Sequence, residues 1–162
     1  MSVSLFKNKG GRMLPQEPVP NNVSSSIYRV ENENRIVLEP LNSRFSVCKV
    51  IDYSGIDLTK PFCFTAATDE ENSLVCPELL VPDNTTAQDD GWKCFRIIGQ
   101  LDFSLIGILA RISEVLALNK IGIFAISTFN TDYILTKEEN FEKALKVLMD
   151  AGYDIKNGNL FR

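Results

Sequence analysis

Between residues 92 and 155 the spacing of apolar residues switches between a period of two and a period of about 3.6, and that succession limits the fold more than any other feature. Trp92-Lys93-Cys94-Phe95-Arg96-Ile97-Ile98 alternates as a strand does and stops at Gly99. Over residues 104–118, Leu105, Ile108, Leu109, Ile112 and Leu116 recur at helical spacing, with Arg111, Ser113 and Glu114 on the other side. Asp102 or Ser104 can cap that helix. Residues 121–129 read as a second strand, Asn130-Thr131-Asp132 as a turn, and Tyr133-Ile134-Leu135 as the returning strand. Thr136-Lys137-Glu138-Glu139 has the capping-box spacing, which predicts a helix opened by the threonine. Phe141, Ala144, Leu145 and Leu148 form its apolar face. Glu139 with Lys143 and Glu142 with Lys146 make i,i+4 pairs, and Gly152 suits the position just past its end. Tyr153-Asp154-Ile155 begins a last strand. The order is βαββαβ, so the expected class is α+β with a ferredoxin-like arrangement.

The first half carries a partial copy of this pattern. Phe64-Thr65-Ala66-Ala67-Thr68 aligns without a gap onto Phe124-Ala125-Ile126-Ser127-Thr128, sixty positions on. The same offset sets Asn72 on Asp132, Leu74-Val75 on Ile134-Leu135, and Glu78 on Glu138. An internal duplication is the expected origin, with chance alternation of β-prone residues the plainer reading. Residues 51–62 contain no long helical pattern, so the first copy is expected to be truncated, with the two halves side by side in one sheet. Arg35-Ile36-Val37-Leu38 and Phe45-Ser46-Val47-Cys48-Lys49-Val50-Ile51 are β-prone runs, as is Ile27-Tyr28-Arg29-Val30, separated by Asn- and Pro-containing turns. Residues 1–25, rich in Pro, Asn, Ser and Gly, cannot bury enough apolar surface to offset their ordering entropy. The expected division is a flexible tail at 1–25, an N-terminal half at 26–86 and a C-terminal domain at 87–162.

Composition narrows the function. The net charge of −4 lacks the footprint of a nucleic-acid binder. The chain has no histidine, which removes the commonest general base, the Ser–His and Cys–His pairs and most zinc geometries. Cys48, Cys63, Cys76 and Cys94 form no C-x-x-C pair and lie in or beside apolar runs. They read as free thiols in a reducing compartment, with no metal or cofactor implied. No apolar stretch reaches the roughly 18 residues of a membrane span, and no signal-like h-region follows the first residues. A cytoplasmic, non-enzymatic protein is expected.

Leu101-Asp102-Phe103-Ser104-Leu105-Ile106-Gly107-Ile108-Leu109-Ala110, followed by Ile123-Phe124-Ala125-Ile126-Ser127-Thr128-Phe129-Asn130-Thr131-Asp132-Tyr133, resembles the ACT-domain family. Within that family it is similar to small stand-alone proteins with a tandem ACT pair, related to the regulatory end of aspartate kinase and to eukaryotic arginine sensors. Ser73-Leu74-Val75-Cys76-Pro77-Glu78 looks like the same group. The resemblance covers residues 44–156 and leaves out 1–40. It implies tandem ferredoxin-like ACT units and a small effector, such as an amino acid, held between units. It also implies regulation of a metabolic enzyme or other target rather than catalysis.

The chemistry of the matching residues agrees. A strand-to-helix turn over residues 101–104 presents free backbone N–H groups, which attract a carboxylate. Gly107, one turn into the expected helix, permits close approach of a ligand. Asp132 can pair with an ammonium, Ser127 and Thr128 offer hydroxyls, and Phe129 can wall a pocket. The candidate ligand residues are therefore Asp102, Phe103, Ser104, Gly107, Ser127, Thr128, Phe129 and Asp132, closed over by residues 68–74 or by another chain. Each also has a plainer reading: Asp102 as a cap, Gly107 as a packing glycine, Thr128 as a strand residue, Asp132 as part of the turn. Exposed sheet edges favour a homodimer. Two other readings stay open: a non-catalytic interaction or oligomerisation module with a decayed pocket, and a small enzyme using carboxylates with Lys93 or Lys120.

Overall fold

Two long antiparallel strands, β1 (Val37–Val50) and β4 (Thr85–Ile98), form the spine of one sheet. The computed structural model describes residues 36–98 and 107–156, all inside the compact unit Asn34–Arg162. The β-prone run at residues 27–30 and the tail lie outside the described residues. Beyond β1 lie β3 (Asn72–Pro77) and then β2 (Phe64–Ala67); beyond β4 lie β6 (Asp132–Lys137) and then β5 (Phe124–Ser127). A short β7 (Asp154–Ile155) pairs parallel with the start of β1. With α1 (Ile108–Leu118) and α2 (Glu138–Asp150), the second half runs β4-α1-β5-β6-α2-β7. This is the expected α+β, ferredoxin-like order, and both halves contribute to a single sheet.

The spine departs from the sequence reading in two places. Pro40 and Asn42 do not turn the chain; they sit inside β1, where the ladder to β4 slips between Pro40 and Arg44. A bulge tolerates a proline because the missing N–H falls where the ladder is already broken. β4 begins at Thr85 rather than Trp92, and passes through Gly91 at φ 73. That left-handed conformation suits glycine.

Alternation along the strands sorts the core. Leu38, Phe95, Ile97 and Ile134 face Ile112 and Leu116 of α1 and Phe141, Leu145 and Leu148 of α2. Each such fully buried side chain contributes about 1.5–3 kcal/mol relative to exposure. On the other face Phe45, Val75, Cys94 and Leu135 pack with Phe62, Phe64, Trp92, Phe124 and Tyr133. The Phe64 and Tyr133 ring centroids lie 4.9 Å apart. Their strands are four steps apart in the order, about 19 Å in a flat sheet. The sheet therefore curls until its outer hairpins meet over this aromatic cluster. A third cluster, Cys48, Val50, Leu74 and Cys76, is packed by Tyr53, Ile56, Leu80 and Val81 from turns rather than by helices. All four cysteines are free thiols, and burial pushes those of Cys76 and Cys94 up to about 12.

The hairpins repeat at the offset read from the sequence. Phe64 pairs with Val75 and Ala67 with Asn72; Phe124 pairs with Leu135 and Ser127 with Asp132. In each turn a threonine N–H donates to the carbonyl three residues on, Thr68 to Glu71 and Thr128 to Thr131, both at 2.9 Å. After the first hairpin comes only a 3-10 turn, Glu78–Leu80; after the second comes α2.

The helix ends hold one correction and one agreement. Thr136 does not open α2. It is a fully buried strand residue paired with Lys93, and Lys137 takes the N-cap position without a side-chain bond. A residue held in the ladder cannot also turn its hydroxyl to a helix start. Glu138 and Glu139 still complement the dipole of the first turn. Gly152, at φ 97, ends α2 as expected: its N–H donates to Met149 and that of Tyr153 to Leu148. Lys143 donates to the Asn119 carbonyl at 2.8 Å, bracing the end of α1 instead of pairing along its own helix.

Candidate functional site

The C-terminal end of β4 is where the connection to α1 departs and where the β5–β6 hairpin is anchored. Thr131, 8% exposed, donates its hydroxyl to the Ile97 carbonyl at 2.7 Å and so fixes the hairpin tip to β4. Thr128 closes the turn itself: its hydroxyl donates to the Thr131 carbonyl at 2.8 Å and accepts the Thr131 N–H at 3.4 Å. That hydroxyl is therefore engaged in the turn. Ser127 and Asp132 are directly opposite each other across the β5–β6 ladder. Tyr133 belongs to the aromatic cluster and Ile134 to the helix-facing core. By alternation, Asp132 and Ser127 lie on the helix-bearing side. Phe129 stands at the hairpin tip, 79% exposed.

Gly107 differs from its expected role. It is not one turn inside the helix but at the N-cap of α1, at φ 85. No described atom lies within 4 Å of where its Cβ would stand, so the backbone angle, and not close packing, requires glycine here. Asp102, Phe103 and Ser104 lie outside the described residues. The segment expected to close the site also differs. Asn72 pairs with Val50, so residues 68–74 are tied to the opposite end of β1 from Leu38, the partner of Ile97. What the first half brings near is Phe62 and Phe64, whose rings contact Tyr133.

On the aromatic side of the same strand ends is a cavity of about 420 Å³ lined by Glu39, Arg96, Ile97, Ile98, Asn130, Thr131, Tyr133 and Lys156. Arg96 donates Nε and Nη2 to Glu39 Oε2 at 2.7 and 2.6 Å, and Lys156 Nζ donates to Oε1 at 2.9 Å. The bonds from Lys156 and then Arg96 hold the Glu39 carboxyl below the usual glutamate range. Glu39 and Tyr133 push the Arg96 guanidinium up, fixing its charge. Sequence reading missed this cluster because Glu39 and Lys156 are 117 positions apart. The alternation of β4, which sets Arg96 opposite Phe95 and Ile97, is the only local signal.

Residues 88–150, spanning most of β4 through α2, match the model of the ACT domain. Over those residues the chain carries an ACT domain. It is 38% identical over 65 residues to the cytosolic arginine sensor for mTORC1 subunit 1 of Homo sapiens, and equally to that of Bos taurus. That alignment covers 40% of this chain and 20% of the sensor, so the chain spans a fifth of these relatives' length. Among solved structures, protein Atu0741 from Agobacterium tumefaciens is 30% identical with a TM-score of 0.68, covering 76% of this chain and 94% of its own. Clostridium acetobutylicum aspartate kinase shares the fold at 14% identity and a TM-score of 0.53, over 68% of this chain and 33% of the kinase. No helix among the described residues of this ACT protein is long and apolar enough to cross a membrane.

Proposed function

We propose that the chain is a non-catalytic, cytoplasmic regulatory module of two unequal ACT-like halves, which binds an amino acid and acts as a homodimer on a metabolic enzyme or other regulatory target. What supports this reading is the order of the elements: α1, with Gly107 at its N-cap, follows β4, and Ser127 and Asp132 pair across the β5–β6 hairpin, whose tip Thr131 ties to Ile97 at the end of β4. The first N–H groups of a helix have no partner within it and suit an α-carboxylate. Asp132 supplies the charge for an α-ammonium. Asp102, Phe103, Ser104 and Phe129 complete the proposed contacts, and Thr128 shapes the hairpin that carries Phe129 and Asp132. Sequence similarity to a protein named as an arginine sensor supports an amino acid as the ligand class.

Calorimetry of the full chain against a panel of the common amino acids tests the reading; at least one saturable ligand is expected, and none would overturn it. Light scattering tests the assembly. A dimer is expected, and a monomer at every micromolar concentration, with and without that ligand, would overturn the homodimer.

A further inference from the structure

We infer that the cavity walled by Arg96, Tyr133 and Lys156 is a second binding site, for a small dicarboxylate, separate from the amino-acid site proposed above. Its volume of about 420 Å³ lies within the roughly 300–1,000 Å³ typical of ligand pockets. Its charge is unbalanced. Two cations, Arg96 and Lys156, face one carboxylate, Glu39, the only acid among the described lining residues. Both Glu39 oxygens are already occupied, Oε2 by Arg96 and Oε1 by Lys156. Glu39 thus orients the two cations and has little left with which to receive a cationic ligand. A guanidinium carries five N–H donors and an ammonium three, so each cation retains donors beyond those given to Glu39.

The rest of the wall completes the match. Asn130 provides a polar group from the hairpin tip, and Ile97 and Ile98 an apolar flank for a short carbon chain. Tyr133 is held in place by the rings of Phe62 and Phe64. Tyr133 and Asp132 are successive strand residues, so the cavity and the proposed amino-acid site open on opposite faces of β6. Planar carboxylates suit the guanidinium fork, and a dicarboxylate offers one carboxylate to the remaining donors of each cation. A guanidinium or ammonium ligand would meet like charge there.

Calorimetry of the full chain with succinate, inorganic phosphate and L-arginine tests this. Succinate should bind the parent protein, and L-arginine should not displace it. Lys156 is 54% exposed, so Lys156→Gln should still fold, with a Tm only slightly below the parent's, and weaken succinate about tenfold or more, as loss of a charged hydrogen bond implies. Arg96→Gln should weaken it at least as much. Absence of succinate binding to the folded parent, or equal affinity in Lys156→Gln, would overturn the site. Phosphate binding as tightly as succinate would overturn the ligand class. Loss of succinate binding in Asp132→Ala would overturn the separation of the two sites. Amino-acid binding to the parent protein without any succinate binding would break this inference and leave the proposed function standing.

Discussion

The two hairpins, sixty positions apart, are alike in register and turn, yet one is followed by a 3-10 turn and the other by a helix of 13 residues. The difference lies in what comes after Glu78 and Glu138. Glu78-Leu79-Leu80-Val81 runs into Pro82, which offers no N–H and pushes the preceding residue out of helical angles; Val81 has ψ 124. Leu79 is left 97% exposed. Glu138 opens a stretch with no Pro or Gly until Gly152, and Phe141, Ala144, Leu145 and Leu148 line one face. Similar strands thus acquire different covers, turns in the first half and helices in the second. Pro82 therefore stops the counterpart of α2, and with both helices in the second half most of the stabilising burial lies there.

Core truncations at matched positions probe this most strongly. Ile134→Ala, under both helices, should cost about 3–5 kcal/mol, whereas Leu74→Ala, under turns that can collapse, should cost about 2–3 kcal/mol. Urea unfolding measures both, and equal or reversed costs would break the comparison. The hairpin anchors come next. Thr131→Ala removes the bond to Ile97 and should cost about 1–2 kcal/mol. Glu71→Ala, at the matching exposed position, should stay within about 0.5 kcal/mol.

Within the second half the two helix ends differ in one residue type. α1 and α2 close with the same pair of carbonyl bonds, but the left-handed position is Lys120 at φ 58 in one and Gly152 at φ 97 in the other. Gly152→Ala should cost about 1 kcal/mol, and Lys120→Gly should gain a few tenths, roughly, by thermal melting. The smallest effect concerns pH. The lowered pKa of Glu39 means that its contribution is present above the unfolded glutamate value of about 4.3 and is lost as pH falls through the lower folded value. Glu39→Gln should therefore flatten the acid limb of a stability–pH curve. An unaltered limb would show that the bonds from Lys156 and Arg96 do not stabilise the fold.

Much of this was legible in local pattern. The βαββαβ order, the offset of the hairpins and the Gly152 stop each follow from residues close in sequence. The misreadings share one cause, in that a neighbour distant in sequence decided the matter. Thr136 reads as a cap until its pairing with Lys93 places it in a strand. Pro40 reads as a turn until β4 holds both sides of it in one ladder. The Glu39–Arg96–Lys156 cluster joins three strands or strand ends and has no signature in any single segment.

Asp132→Ala probes the proposed ligand site at its one carboxylate in the β5–β6 hairpin. The residue is half-buried at the start of β6, outside the core clusters, so the variant should keep its fold. Calorimetry with the amino acid that binds the parent protein should show affinity reduced about tenfold or more, the effect of removing a charged partner, at an unchanged Tm. Unchanged affinity in the folded variant would contradict the account, because the ligand would then lie elsewhere than between α1 and the Ser127–Asp132 pair.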